Sequence, residues 1–308
     1  MTLYPGVAFV TGAGSGIGRH TAMSFAKEGC TKITIADVTH TGLMVTEQAI
    51  RAIAPQARVY VAQMDVRVEA DIRRAIECTV ERFGRIDYAA NCAGTNSSPN
   101  TRLGWMRLTR PAGGGGAGIY GPEAASPDVK PSDFDNVFSV NARGVWLCAR
   151  AQTRQMKMQQ PLPSHDGRPG ARGVIVNVAS SLGISPIPGK TPYAASKAAV
   201  IQMTKSDALD VSHKKRHNVL LDEDDRSTEL TRKLQCSPFD IRVNGVAPGI
   251  TDTPFTRDIP HDGVAVRGMP VPRKSSPQEI ADVILFIASS KASFLQGAII
   301  SADGGHTI

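Results

Sequence analysis

Short apolar runs alternate along the chain with longer segments in which apolar residues recur at helical spacing. The apolar runs predict strands at Val7–Thr11, Lys32–Ala36, Arg58–Met64, Tyr88–Ala90, Gly173–Val178, Ile241–Ala247 and Ala298–Ser301. Several lack polar alternation, as expected of parallel strands covered on both faces. The helical spacing predicts helices over Ile17–Glu28, Gly42–Ile53, Glu69–Phe83, Phe134–Gln155, Tyr193–Val211 and Gln278–Ser289. Strand and helix in turn predict an α/β fold, a doubly wound parallel sheet. Right-handed crossovers then put the ligand site beyond the carboxyl ends of the strands.

Three stretches break the rhythm: Asn96–Pro131, rich in Gly, Pro and Ser; the polar Gln159–Arg172, with three prolines; and the charged Ser212–Pro238. Long unpatterned loops in a compact domain are functional lids or disordered decoration. All three are read as surface insertions in a single domain spanning residues 1–308.

Composition changes this picture little. The 308 residues suffice for one large core, and 41% hydrophobic with 20% charged residues is ordinary for a globular protein. The net charge of +7 raises the question of a nucleic-acid partner. The basic residues are scattered, however, and Lys214-Lys215-Arg216 is followed by Asp222-Glu223-Asp224-Asp225, so nucleic-acid binding is not expected. The five cysteines are far apart and form no Cys-x-x-Cys, which points to reduced thiols, no metal site and a cytoplasmic setting. A strand pattern beginning at Val7 leaves no room for a signal peptide, and no apolar run is long enough to span a membrane.

The candidate chemistry lies in two motifs. Thr11–Gly18 (Thr-Gly-Ala-Gly-Ser-Gly-Ile-Gly) follows the first strand and opens the first helix. Its glycines (Gly12, Gly16, Gly18), with Ser15 and Ile17, suit a turn whose backbone approaches a pyrophosphate at a helix N-terminus. That is the phosphate cradle of a Rossmann-like fold. Asp37 closes the second strand, nineteen residues after Gly18. A carboxylate there accepts from ribose hydroxyls and repels a 2′-phosphate, and the neighbouring Val38, Thr39 and Ser15 are uncharged. NAD is therefore expected in preference to NADP; the competing reading of Asp37 is a strand-end turn residue. The second motif is Tyr193 and Lys197, four apart on one helix face, with Ser180 thirteen positions upstream. An ammonium beside a phenol lowers its pKa and suits it to exchange a proton with an alcohol or carbonyl.

These residues, with Asp65-Val66, Asn91-Cys92-Ala93-Gly94, Asn141, Arg242-Val243-Asn244, Pro248-Gly249 and Asp303-Gly304-Gly305, resemble the short, single-domain branch of the short-chain dehydrogenase/reductase family over nearly the whole chain. The resemblance implies that Asp65 and Val66 hold the adenine and that Asn91, Ala93 and Gly94 line the cofactor groove. Pro248 and Gly249 form a turn after which Thr251 and Thr253 contact the nicotinamide or its phosphate. Tyr193 would be the general acid/base, Lys197 would hold the nicotinamide ribose, Ser180 would bind the substrate oxygen, and Asn141 would tie a water to Lys197. Cys92 departs from the family's usual asparagine. The implied reaction is hydride transfer between NAD and a secondary alcohol or its ketone. An NADPH-dependent ketoreductase and a catalytically silent cofactor-binding scaffold are the alternatives. Apolar residues Phe255, Ile259, Val264, Val266 and Met269, with the Asn96–Pro131 insertion as lid or decoration, suggest a bulky, mostly apolar small-molecule substrate, such as a polyketide or terpenoid. Relatives associate through the two long helices, so a homodimer or homotetramer is expected.

Overall fold

The computed structural model describes residues 2–94, 125–212 and 240–308. Seven strands, β1 (Val7–Thr11), β2 (Lys32–Asp37), β3 (Arg58–Gln63), β4 (Tyr88–Asn91), β5 (Gly173–Val178), β6 (Ile241–Pro248) and β7 (Ile299–Ala302), form one sheet in the order β3-β2-β1-β4-β5-β6-β7. Every pairing is parallel. The order reverses between β1 and β4, and the crevice that opens there is where such sheets take ligands.

Alternate strand residues feed two separate cores. On one face Ala8, Val10, Ile33, Ile35, Val174 and Val176 pack under helices α1 (Gly16–Lys27), α2 (His40–Ile53) and α7 (Pro277–Ala288). On the other, Phe9, Ala36, Ala89 and Ile175 meet α3 (Glu69–Phe83), α5 (Val145–Lys157) and the end of α6 (Thr191–Ser212). Phe9, Ile33, Ile35 and Ile175 are fully buried, and each contributes about 1.5–3 kcal/mol of transfer free energy. Helix starts follow sequence signals: α7 opens with Ser276-Pro277-Gln278-Glu279, a capping box in which the Ser276 hydroxyl and the Glu279 carboxylate accept from each other's backbone N–H.

The structure departs from sequence expectation at one helix. The helix expected over 134–155 is not continuous: α4 (Pro131–Phe138) passes into a wide π turn, Ser139–Gly144, before α5. The wider turn gives Val66 its room, since a Cβ on Gly144 would lie 2.7 Å from Val66 Cγ2. The first break in rhythm ends where expected, with α4 beginning at Pro131; most of that stretch, and with it the lid, falls outside the described residues, as does 213–238. The Gln159–Arg172 stretch is firmly attached. Buried Gln159 donates to the Ile86 and Arg172 carbonyls, at 2.8 Å each, and accepts from the Ile86 N–H. Among the described residues no helix is long and apolar enough to cross a membrane.

Candidate active site

The glycine turn sits at the reversal between β1 and β4. Gly12, at φ +67°, lies so close to β4's exit that a Cβ would come 2.7 Å from Ala93 N. On Gly18 a Cβ would meet the Gly12 carbonyl oxygen at 2.2 Å, so α1 rests directly on the turn. Ser15 caps α1 without a side-chain hydrogen bond, and no acidic residue occupies the first helical turn. The leading N–H groups and the positive end of the helix dipole are thus free of intramolecular carboxylates, a donor set that fits a pyrophosphate. Thr253, beyond β6, reaches the same turn: its Cγ2 is 3.1 Å from where a Gly16 Cβ would stand.

Asp37 meets this cradle from β2. Its two carboxylate oxygens accept from the Gly14 N–H at 3.0 Å and the Thr39 N–H at 2.8 Å. It is therefore a turn residue, and its carboxylate is half-buried at the cradle. Sequence reasoning missed Arg19, one turn into α1. Its guanidinium donates to the Gly14 carbonyl and, at 3.1 Å, to Thr46 Oγ1, so a cation does stand at the cradle, behind it. Asp65 is turned to Arg67, whose guanidinium donates to it and holds its carboxyl below the usual range. Val66 is buried against the π turn.

Asn91, expected to line the groove, also has a role in the sheet. Its side chain is 1% exposed and exchanges amide hydrogen bonds with Gln152 of α5 (3.0 and 2.9 Å) and donates to Asn177 Oδ1 of β5 (2.9 Å). Asn177 in turn donates to Thr204 of α6 at 3.0 Å. The side chain thus ties helices to the sheet beneath the groove, leaving Ala93 and Gly94 beside it.

Ser180, Tyr193, Lys197 and Asn141 come together above the ends of β4 and β5. Ser180 follows β5 and opens a tight turn, Ser181–Gly183, which packs on α6 so closely that a Gly183 Cβ would lie 2.7 Å from the Lys197 carbonyl carbon. Lys197 is 4% exposed; its Nζ donates to the Val178 carbonyl at 2.9 Å and lies 5.9 Å from the Tyr193 ring centre. Asn141, in the π turn, is fully buried and donates from Nδ2 to Ser196 Oγ at 3.2 Å. Ser196 donates onward to the Tyr193 carbonyl at 2.7 Å. Both Asn141 Oδ1 and Lys197 Nζ stand 3.5 Å from the point where a Gly94 Cβ would be. Ser196 had no sequence signal. Phe255 packs its ring 5.8 Å from that of Tyr193.

Burial governs the electrostatics of the protein without its dinucleotide. Burial pushes the Tyr193 phenol up to about 12, opposed only by its hydrogen bond with Ser180. Burial pushes the Lys197 ammonium down to about 8. The lysine alone does not lower the phenol, because both groups have lost water and the ammonium is held by the Val178 carbonyl. Cys92, in the position of the family's asparagine, is also raised, to about 12, and is an unreactive thiol. Thr251 is tied inward, its hydroxyl accepting from Ser275 at 3.0 Å.

Comparison with known proteins gives a consistent result. The family described as short chain dehydrogenase matches residues 6–107 and 115–220, and the one described as enoyl-(acyl carrier protein) reductase matches 229–307. A short-chain dehydrogenase of Aspergillus ruber is 32% identical over 98% of this chain and 97% of its own. The crystal structure of levodione reductase superposes with a TM-score of 0.74 at 28% identity, covering 99% of this chain and 98% of the other. That of 3-ketoacyl-(acyl-carrier-protein) reductase from Brucella melitensis, complexed with NADH, gives 0.72 at 26% identity over the whole of both chains.

Proposed function

Since the chain belongs to the short-chain dehydrogenase/reductase family, whose members are NAD(P)-dependent oxidoreductases acting on CH–OH groups, we propose that it interconverts a secondary alcohol and its ketone with NAD(H), using Tyr193 as the proton-exchanging residue. The observation that carries this reading is the convergence of Ser180, Tyr193, Lys197 and Asn141 beside a glycine turn that suits a pyrophosphate. When bound, the nicotinamide supplies the hydride acceptor or donor.

The chain's own residues do the rest. The Tyr193 hydroxyl gives its proton to the carbonyl oxygen in reduction, and in oxidation its phenolate takes the alcohol proton. Ser180 donates a hydrogen bond to that oxygen and keeps it in reach of the phenol. The Lys197 ammonium holds ribose hydroxyls, and Asn141 Oδ1, facing the same space above Gly94, orients a water toward it. Gly12, Gly16 and Gly18, the N–H groups of Ser15 and Ile17, and Thr253 cradle the phosphates; Asp65 and Val66 flank the adenine, and Ala93, Gly94, Pro248 and Gly249 line the groove. Asp37 accepts from the adenosine ribose, which favours NAD over NADP.

The substrate is read as bulky and mostly apolar. Half-buried Phe255 beside Tyr193 supports this, as does the apolar cluster of Ile259, Val266 and Met269 with Ile250 behind it. The chain is read as one domain that forms a homodimer or homotetramer. Incubating the protein with NAD and a panel of hydroxylated polyketides and terpenoids, and following NADH absorbance, tests the reaction. Turnover that survives Tyr193→Phe undiminished would refute the assignment.

A further inference from the structure

Thr251–Thr256, the turn that follows β6, is over-determined. Thr253 and Thr256 form a capping box, the Thr256 hydroxyl also donates to the Thr251 carbonyl, and Thr251 bridges to Ser275. Next to that bridge lies Lys274. Its side chain is 2% exposed, its Nζ donates to the Thr256 carbonyl at 3.0 Å, and Asp252 Oδ1 is 3.6 Å away. Withdrawing an ammonium from water costs several kcal/mol unless partners repay it, so a lysine is a poor choice for packing alone.

The two partners of Lys274 bracket three residues. Thr253 presses on the glycine turn at Gly16, and Phe255 meets the Tyr193 ring. One short turn therefore touches both the cradle and the proton-exchanging residue, and the buried ammonium fastens it at both ends, at Asp252 and at Thr256. We infer that Lys274 is a positioning residue, which holds Thr253 against the cofactor cradle and Phe255 against Tyr193, so that cofactor and substrate are gripped by one braced element. The inference rests on the proposed function only for its consequence in binding. The bracing itself is independent of it.

Two measurements on the full chain test it: the dissociation constant for NADH, and backbone amide exchange of the cofactor-free protein. Lys274→Met keeps the length and loses the charge. It is expected to weaken NADH about tenfold and to speed exchange in 251–256, in the glycine turn 12–18 and around Tyr193. Lys274→Arg should restore both. Exchange that speeds only within 251–256, or nowhere, would overturn the inference whether or not NADH binds. So would wild-type NADH affinity in Lys274→Met. Failure of the wild-type protein to bind NADH would instead count against the proposed function, leaving the exchange result to decide for Lys274.

Discussion

The Lys197 ammonium donates to the Val178 carbonyl, 5.9 Å from the centre of the Tyr193 ring, so one lysine joins the end of β5 to the proposed acid/base residue on α6. The ammonium is held by the sheet, and the phenol's displacement comes from burial. The pair is thereby assembled by the fold before any ligand arrives, with both pKa values displaced by burial in opposite directions.

Replacing Tyr193 with Phe removes the exchanging proton and keeps the ring that packs on Phe255. Turnover should fall by ~10²–10⁴ while NADH affinity changes little. Steady-state rates and a binding titration on the same preparation check both halves.

Because the phenol of the protein alone stands near 12, it is a proton donor at neutral pH. Ketone reduction should therefore be nearly flat with pH across the neutral range, and alcohol oxidation should gain as pH rises and the phenolate fraction grows. Rate profiles measured in both directions should differ in this way. Parallel profiles would remove Tyr193 as the titrating group.

Lys197 carries a stability signature. Its folded pKa of about 8 lies below the ordinary 10.5, so between these values the unfolded chain binds the extra proton. Stability from this group is thus absent below about pH 8 and grows as pH rises to 10.5. Lys197→Met should lose activity, yet the cofactor-free variant should be no less stable than wild type at pH 7. The wild type should gain on it from pH 8 to 10.5, as thermal melts across that range would reveal.

Gly18 has no room for a side chain, since the atom in the way is the Gly12 backbone oxygen. Gly18→Ala should destabilise the protein by about 1–3 kcal/mol through overpacking and weaken dinucleotide binding with it. Denaturant unfolding and titration together measure this.

Most of the fold was legible because its strands are short apolar runs and its helices amphipathic: β1, β5 and α3 fall where the pattern puts them. The π turn was not, because Ser139–Gly144 reads as ordinary helix in its apolar spacing, and the close approach of Val66 to Gly144 is a tertiary contact. Ser180, Tyr193 and Lys197 were legible by spacing. The buried amide network of Asn91 was not legible, because its partners Gln152 and Asn177 come from other elements across the sheet. Arg19 and Lys274 were invisible for the same reason: each is a charge whose partners are backbone carbonyls brought in by the fold.

Asp37 is bonded to the Gly14 and Thr39 N–H groups, so Asp37→Ser should lower stability as well as NADH affinity and narrow the preference over NADPH. Parallel titrations of variant and wild type with both dinucleotides would show it.

The most direct test of the central claim is the titration of the wild-type protein with NADH and NADPH, followed by energy transfer from tryptophan. The account predicts saturable binding of both with NADH the tighter. Binding of neither would contradict a dinucleotide-dependent oxidoreductase built on Tyr193 and Lys197.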